Sequence, residues 1–102
     1  MVLYRRNFVA GGTFFFTVTL ADRRSSVLVQ NIALLRYAFR ITRSERPFAI
    51  DAVVVLPDHL HIVMTLPQDD ADFPGRWKRI KSLFTRKVVA HGLGFKRNQR
   101  GE

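Results

Sequence analysis

The chain has 102 residues, 47% of them hydrophobic, with nine phenylalanines and no cysteine. This is a single domain's length with enough apolar side chains for a packed core, and the missing cysteines exclude disulfides and thiolate metal centres and suit a reducing cytoplasm. Seventeen Lys and Arg against eight Asp and Glu leave a charge of +9. Such a field draws polyanions: nucleic acid first, anionic membrane second, a ribosomal or chromatin-like packing role third.

No apolar run approaches the roughly 18 residues of a membrane span, and Met1 to Arg6 lacks the apolar core of a signal peptide. Residues 1–12 read as a basic, flexible lead-in carrying Arg5 and Arg6 and ending in Gly11-Gly12. Thr13 to Leu20 is rich in aromatic and β-branched residues, which predicts a strand. Its alternation sends Phe14, Phe16, Val18 and Leu20 to one face as core, and Thr13, Phe15, Thr17 and Thr19 to the other. An open sheet face can also present aromatics to bases, a second role for Phe14 and Phe16.

Ser25 and Ser26 can cap the helix that follows. From Val27 to about Thr42 the apolar stripe through Leu28, Ile32, Leu35 and Phe39 predicts a helix of some four turns, stopped before Pro47. Phe48 to Leu56 reads as a strand, Pro57-Asp58 as a turn, and His59 to Leu66 as the returning hairpin partner. After the acidic loop 67–72, Asp72 or Phe73 caps a second helix with Pro74 in its first turn. Its apolar stripe runs through Phe73, Trp77, Ile80, Phe84 and Val88, with Trp77 as core, and it stops at His91-Gly92. His91 reads as a helix-end histidine beside free carbonyls. The tail, residues 95–102, is expected to be flexible.

The order β-α-β-β-α predicts an α+β, ferredoxin-like (RRM-like) antiparallel sheet with two helices on one face and one strand position unfilled. One sheet face is then left for a ligand.

His59-Leu60-His61 opens a strand, so its two imidazoles project from the same side of a rigid element, a good base for divalent metal. Two histidines are fewer ligands than a closed structural zinc site uses, and an incomplete shell leaves room for a substrate phosphate. The plain alternative is a pair of hydrogen-bonded surface histidines. Asp58 beside them is either a ligand, an orienting partner of one imidazole, or a simple turn residue. Arg76, Lys78, Arg79, Lys81, Arg86 and Lys87 lie within twelve residues that hold no acid. They predict a phosphate-contacting outer face, against the alternative of ordinary solvated charge. Arg5 and Arg6 either grip a nucleic-acid backbone or belong to a loose terminus.

Three stretches carry a resemblance: Gly12 to Val18, Pro47 to His61, and Asp70 through Lys81. In order and over nearly the whole chain, they resemble the HUH single-strand transposases, most closely the REP-associated tyrosine transposases. The resemblance implies a domain that cuts and rejoins single-stranded DNA near imperfect hairpins. His59 and His61 would hold Mg2+ or Mn2+ on the scissile phosphate, and a tyrosine on a later helix would form a 5′-phosphotyrosine. It also implies a homodimer, for which an unfilled sheet edge offers a pairing site. Tyr4 and Tyr37 are the only tyrosines and neither matches the family position. The chain therefore reads as an N-terminal portion of a transposase that keeps fold and DNA affinity without its nucleophile. A noncatalytic nucleic-acid-binding remnant and a small RNA-binding protein are the competing readings.

Overall fold

In the computed structural model, which describes Val2–Leu3 and residues 10–90, the described residues form four strands and three helices. They are β1 (Val2–Leu3), β2 (Thr13–Thr19), α1 (Val27–Gln30), α2 (Ile32–Glu45), β3 (Ala49–Val55), β4 (His59–Thr65) and α3 (Phe73–Ala90). The sheet runs β1-β2-β4-β3 with every neighbouring pair antiparallel. β4 lies between β2 and β3, so the connection through α2 is the split βαβ arrangement expected of a ferredoxin-like α+β sandwich.

Alternation along β2 and β4 builds the core. Phe16, Val18, Leu60, Ile62 and Met64 are all at most 1% exposed and form one face. Both longer helices pack there. The Trp77 ring of α3 meets Phe16 at 5.7 Å and Phe39 of α2 at 6.0 Å, edge-on in each case, the geometry aromatic quadrupoles favour. Phe73 at the head of α3 lies 5.0 Å from Phe16 and 5.3 Å from Phe14. Trp77 is thus core, as its place in the apolar stripe indicates.

Chain entry to β2 is fixed by Gly11, whose φ of 70° suits glycine and whose position leaves a Cβ only 3.0 Å from the Gln68 backbone. Its N–H donates to the Asp70 carbonyl at 2.9 Å. The loop of residues 67–72 is thereby tied to the start of the sheet. At the other end, Asp72 Oδ1 accepts the Gly75 N–H at 2.9 Å, making Asp72 the cap of α3 as expected.

Two expectations change. A strand, β1, lies inside the lead-in and pairs Val2 with Thr19 and Leu3 with Val18. Two residues are too short to carry a periodicity signal. The first helix is interrupted at Asn31, whose side-chain amide donates to the Val27 carbonyl at 2.9 Å and whose φ,ψ of −123°, 39° leave the helical region. An asparagine side chain competing for a backbone carbonyl is a known helix-breaking device. The ladder resumes with Leu35 N–H to the Asn31 carbonyl and runs to Glu45, where Pro47 follows closely. Of the two serines expected to cap the first helix, Ser25 does so: its Oγ accepts the Val27 N–H at 3.1 Å. Arg5, Arg6, Tyr4, His91 and residues 95–102 lie outside the described residues.

Candidate metal centre and nucleic-acid interface

β4 places His59 and His61 on the sheet face that the helices leave open, because Leu60 and Ile62 between and after them are core. Their ring centroids are 4.9 Å apart and nearly perpendicular, at 79°. Each Nδ1 has a partner. His59 Nδ1 is 2.8 Å from Asp58 Oδ1, and His61 Nδ1 is 3.0 Å from Thr17 Oγ1 on β2. Nε2 is therefore the nitrogen left for a cation on both rings. Phe15 stacks on His61 at 5.5 Å with the planes 16° apart.

Asp58 is more than a turn residue. Its second oxygen accepts from Arg23 Nε at 2.5 Å, and this bond, then the one from His59, holds its carboxyl at about 2. An ionised carboxylate only accepts, so His59 Nδ1 is the donor, and in the neutral ring Nε2 is then the nitrogen with the lone pair. Backbone geometry supports the placement: Leu20 N–H donates to the Asp58 carbonyl at 2.8 Å, locking the turn against the end of β2.

The donor set fits a weakly held divalent ion whose shell is completed from outside. Two imidazoles stand side by side with their outer nitrogens unengaged, while among the described residues no group of three or more His, Cys, Asp or Glu could surround a metal. The other carboxylate near this face, Asp51 at the bulge in β3, accepts from Thr65 Oγ1 at 2.7 Å. Thr65 is four residues beyond His61, about 13 Å along the strand.

The expected basic face does not survive intact. Arg76 is 1% exposed. It donates to the carbonyls of Arg46, Asp72 and Pro47 at 3.1, 3.2 and 2.9 Å and to Asp70 Oδ2 at 2.9 Å, so it is a buried clamp and cannot reach a phosphate. A charge pattern counts arginines without seeing which falls on the helix's inner side. Arg79 is bidentate to Glu45, at 2.9 and 2.8 Å, and that bond lowers the Glu45 carboxyl and raises the arginine. Lys78 and Arg86 are exposed, and Lys81 is half-buried, its ammonium pushed down by burial. Lys87 Nζ lies 4.7 Å and Arg40 Cζ 5.5 Å from the Tyr37 ring centroid. Tyr37 thus joins Lys87 of α3 to the exposed Arg40 of α2, and the exposed Arg36 one turn earlier extends a basic surface that the i, i+4 spacing of these arginines could have signalled.

Helices and histidines occupy opposite sides of the sheet. The basic residues of α3 and the imidazoles therefore do not form one site, and Tyr37, the only tyrosine among the described residues, is on the helical side. Thr17, Arg23 and Phe15 carry no site signal in the sequence, since their partners are 35 to 46 residues away and set only by strand register.

Among the described residues no helix is long and apolar enough to cross a membrane. No protein-family model matches the chain. It is 47% identical over 93 residues to the REP-associated tyrosine transposase of Escherichia coli K12, covering 91% of this chain and 53% of that protein. It is 38% identical over 96 residues to a Haemophilus influenzae protein described as a REP-associated tyrosine transposase, covering 94% and 54%. The fold matches a solved REP-associated tyrosine transposase bound to a REP hairpin with a TM-score of 0.79 and 47% identity, over 92% of this chain and 55% of that one. A transposase-like protein of Deinococcus radiodurans shares the fold at a TM-score of 0.66 and 19% identity, over 96% and 75% of the two chains. The chain spans about half the length of the curated relatives it matches, and within that span it belongs to the REP-associated tyrosine transposase family.

Proposed function

We propose that this chain is the hairpin-DNA-binding, metal-holding portion of a single-strand transposase of the HUH type. The observation that carries the reading is the pair His59 and His61 on the open face, each with Nδ1 engaged and Nε2 available. They would hold Mg2+ or Mn2+, with Asp58 orienting His59. A bound ion would polarise the scissile phosphodiester and stabilise charge developing on it. Lys78, Lys81, Arg86 and Lys87, with Arg5 and Arg6, would supply sequence-tolerant phosphate contacts, while Arg79 first has to leave Glu45. Cleavage through phosphotyrosine needs a tyrosine at a position this chain does not match.

The similarity to a transposase bound to a REP hairpin supports hairpin DNA as the ligand. The cytoplasm is the compartment where such DNA is met. Self-association is also part of the proposal: β3 is an edge strand among the described residues, and a second copy could pair along it. Light scattering that returns a monomer removes that part.

A second reading, a noncatalytic DNA-binding remnant, is favoured by one specific observation: no tyrosine among the described residues shares the histidine face. Incubation of the protein with labelled hairpin DNA and Mn2+, resolved on denaturing and native gels beside a His59→Ala, His61→Ala variant, separates the two. Binding that tightens with Mn2+ only when both histidines are present supports the metal-holding reading. Metal-independent binding that the variant matches leaves the remnant. A covalent adduct would show a nucleophile within these 102 residues.

A further inference from the structure

His59 and His61 are held at Nδ1 by different chemistry. His59 has an ionised carboxylate at Nδ1, which can only accept, so its tautomer is imposed. His61 has a hydroxyl. Thr17 and His61 are direct cross-strand partners in the β2/β4 ladder, so the 3.0 Å separation of Oγ1 and Nδ1 is set by two packed strands rather than by a loop. The ring has little freedom besides: Phe15 stacks against it and His59 abuts it edge-on. With position and orientation settled, what remains open at His61 is which nitrogen bears the proton.

Resting on the metal-holding reading, we infer that Thr17 is a positioning residue for His61: with Nε2 turned to the ion, Nδ1 bears the proton and the Thr17 hydroxyl accepts it, matching the arrangement of Asp58 and His59. The two ligands are consequently unequal. His59 is backed by a carboxylate and His61 by a hydroxyl. Thr17 lies 44 residues upstream of His61, outside the His59-Leu60-His61 motif.

The test uses the whole 102-residue chain with Thr17→Val and Thr17→Ser. Valine keeps the branched shape favoured in a strand and removes the hydroxyl; serine restores the hydroxyl. Nitrogen-15 spectra of the histidine side chains, recorded at a pH where the rings are neutral and with and without Mg2+, report the tautomer directly. Wild type and Thr17→Ser should show His61 protonated at Nδ1, whereas Thr17→Val should show a mixture at His61 and an unchanged His59. Mn2+ affinity, measured by electron paramagnetic resonance of free Mn2+, should fall about 10- to 100-fold in Thr17→Val and recover in Thr17→Ser. A wild-type His61 protonated at Nε2 with and without Mg2+, or a Thr17→Val protein that keeps wild-type Mn2+ affinity, overturns the inference. Wild-type protein that binds no Mn2+ overturns the metal-holding reading instead, and the tautomer spectra still decide the role of Thr17.

Discussion

Arg76 reaches Asp70 across the start of α3, with Nη2 2.9 Å from Oδ2 and the arginine almost wholly enclosed. The same guanidinium takes up three backbone carbonyls from the end of α2 and the start of α3, so it closes the junction between the two helices. Arg76→Ala leaves those carbonyls without a donor in a buried place and should cost on the order of 3 kcal/mol. Arg76→Lys should recover little, because one ammonium cannot span a planar fork of partners. Urea unfolding monitors both. Hairpin-DNA affinity of the folded Arg76→Lys protein, measured at low temperature, should match wild type, whereas a weaker complex would mean that Arg76 itself touches a phosphate.

The acidic loop makes stability pH-dependent in a defined direction. Asp70 is held below its usual value of 3.8 chiefly by Arg76, and Asp72 by the Gly75 N–H and then Arg46. Carboxyls lowered in the folded state contribute stability that is present above the unfolded value near 3.9 and is lost as pH falls through the folded values. The thermal midpoint should stay flat from pH 7 to about 5 and drop below about 4. Arg46→Met, which removes one partner of Asp72, should shallow that drop. An equally steep acid limb in the variant would place the sensitivity elsewhere.

Phosphate binding should follow exposure rather than charge count. Lys78→Ala and Arg86→Ala remove exposed cations, and each should reduce the slope of log affinity against log salt by about 0.7 to 0.9 if its cation neutralises one phosphate. Arg79→Ala should do less, since Glu45 already occupies its fork. Glu45→Ala should tighten binding by releasing Arg79. Fluorescence anisotropy across a salt series measures all four, and a weakened Glu45→Ala protein would show that the ion pair orders the surface instead of masking it.

Legibility from the sequence tracked how local each signal was. β2, β4 and α3 are long periodic runs, and their faces could be read from alternation or the 3.6-residue stripe. The pairing of His59 with His61 on one face needed only the period of a strand. β1 could not be read because two residues carry no period. The break at Asn31 turns on one side-chain amide reaching a carbonyl four residues back, which an apolar stripe running straight through it conceals. Arg76 was misplaced for a related reason: its burial depends on carbonyls at Arg46 and Pro47, supplied by another helix end. Thr17 and Arg23 become visible only when the register sets Thr17 opposite His61 and the Pro57-Asp58 turn meets the loop after β2.

The two halves of the candidate interface lie on opposite layers, with the imidazoles on the open face and Lys78 and Arg86 on the helical side. Groups that far apart and without shared partners should contribute additively. In a cycle combining His59→Ala, His61→Ala with Lys78→Ala, Arg86→Ala, metal-free affinity for hairpin DNA should fall only with the lysine and arginine changes. The interaction energy should be within about 0.5 kcal/mol of zero. Added Mn2+ should then improve affinity by the same factor whether or not Lys78 and Arg86 are present. A coupling well above that limit would mean that one DNA segment wraps the sheet edge and touches both faces at once. In that arrangement strand β3, which borders both layers, would be the crossing point to mutate next.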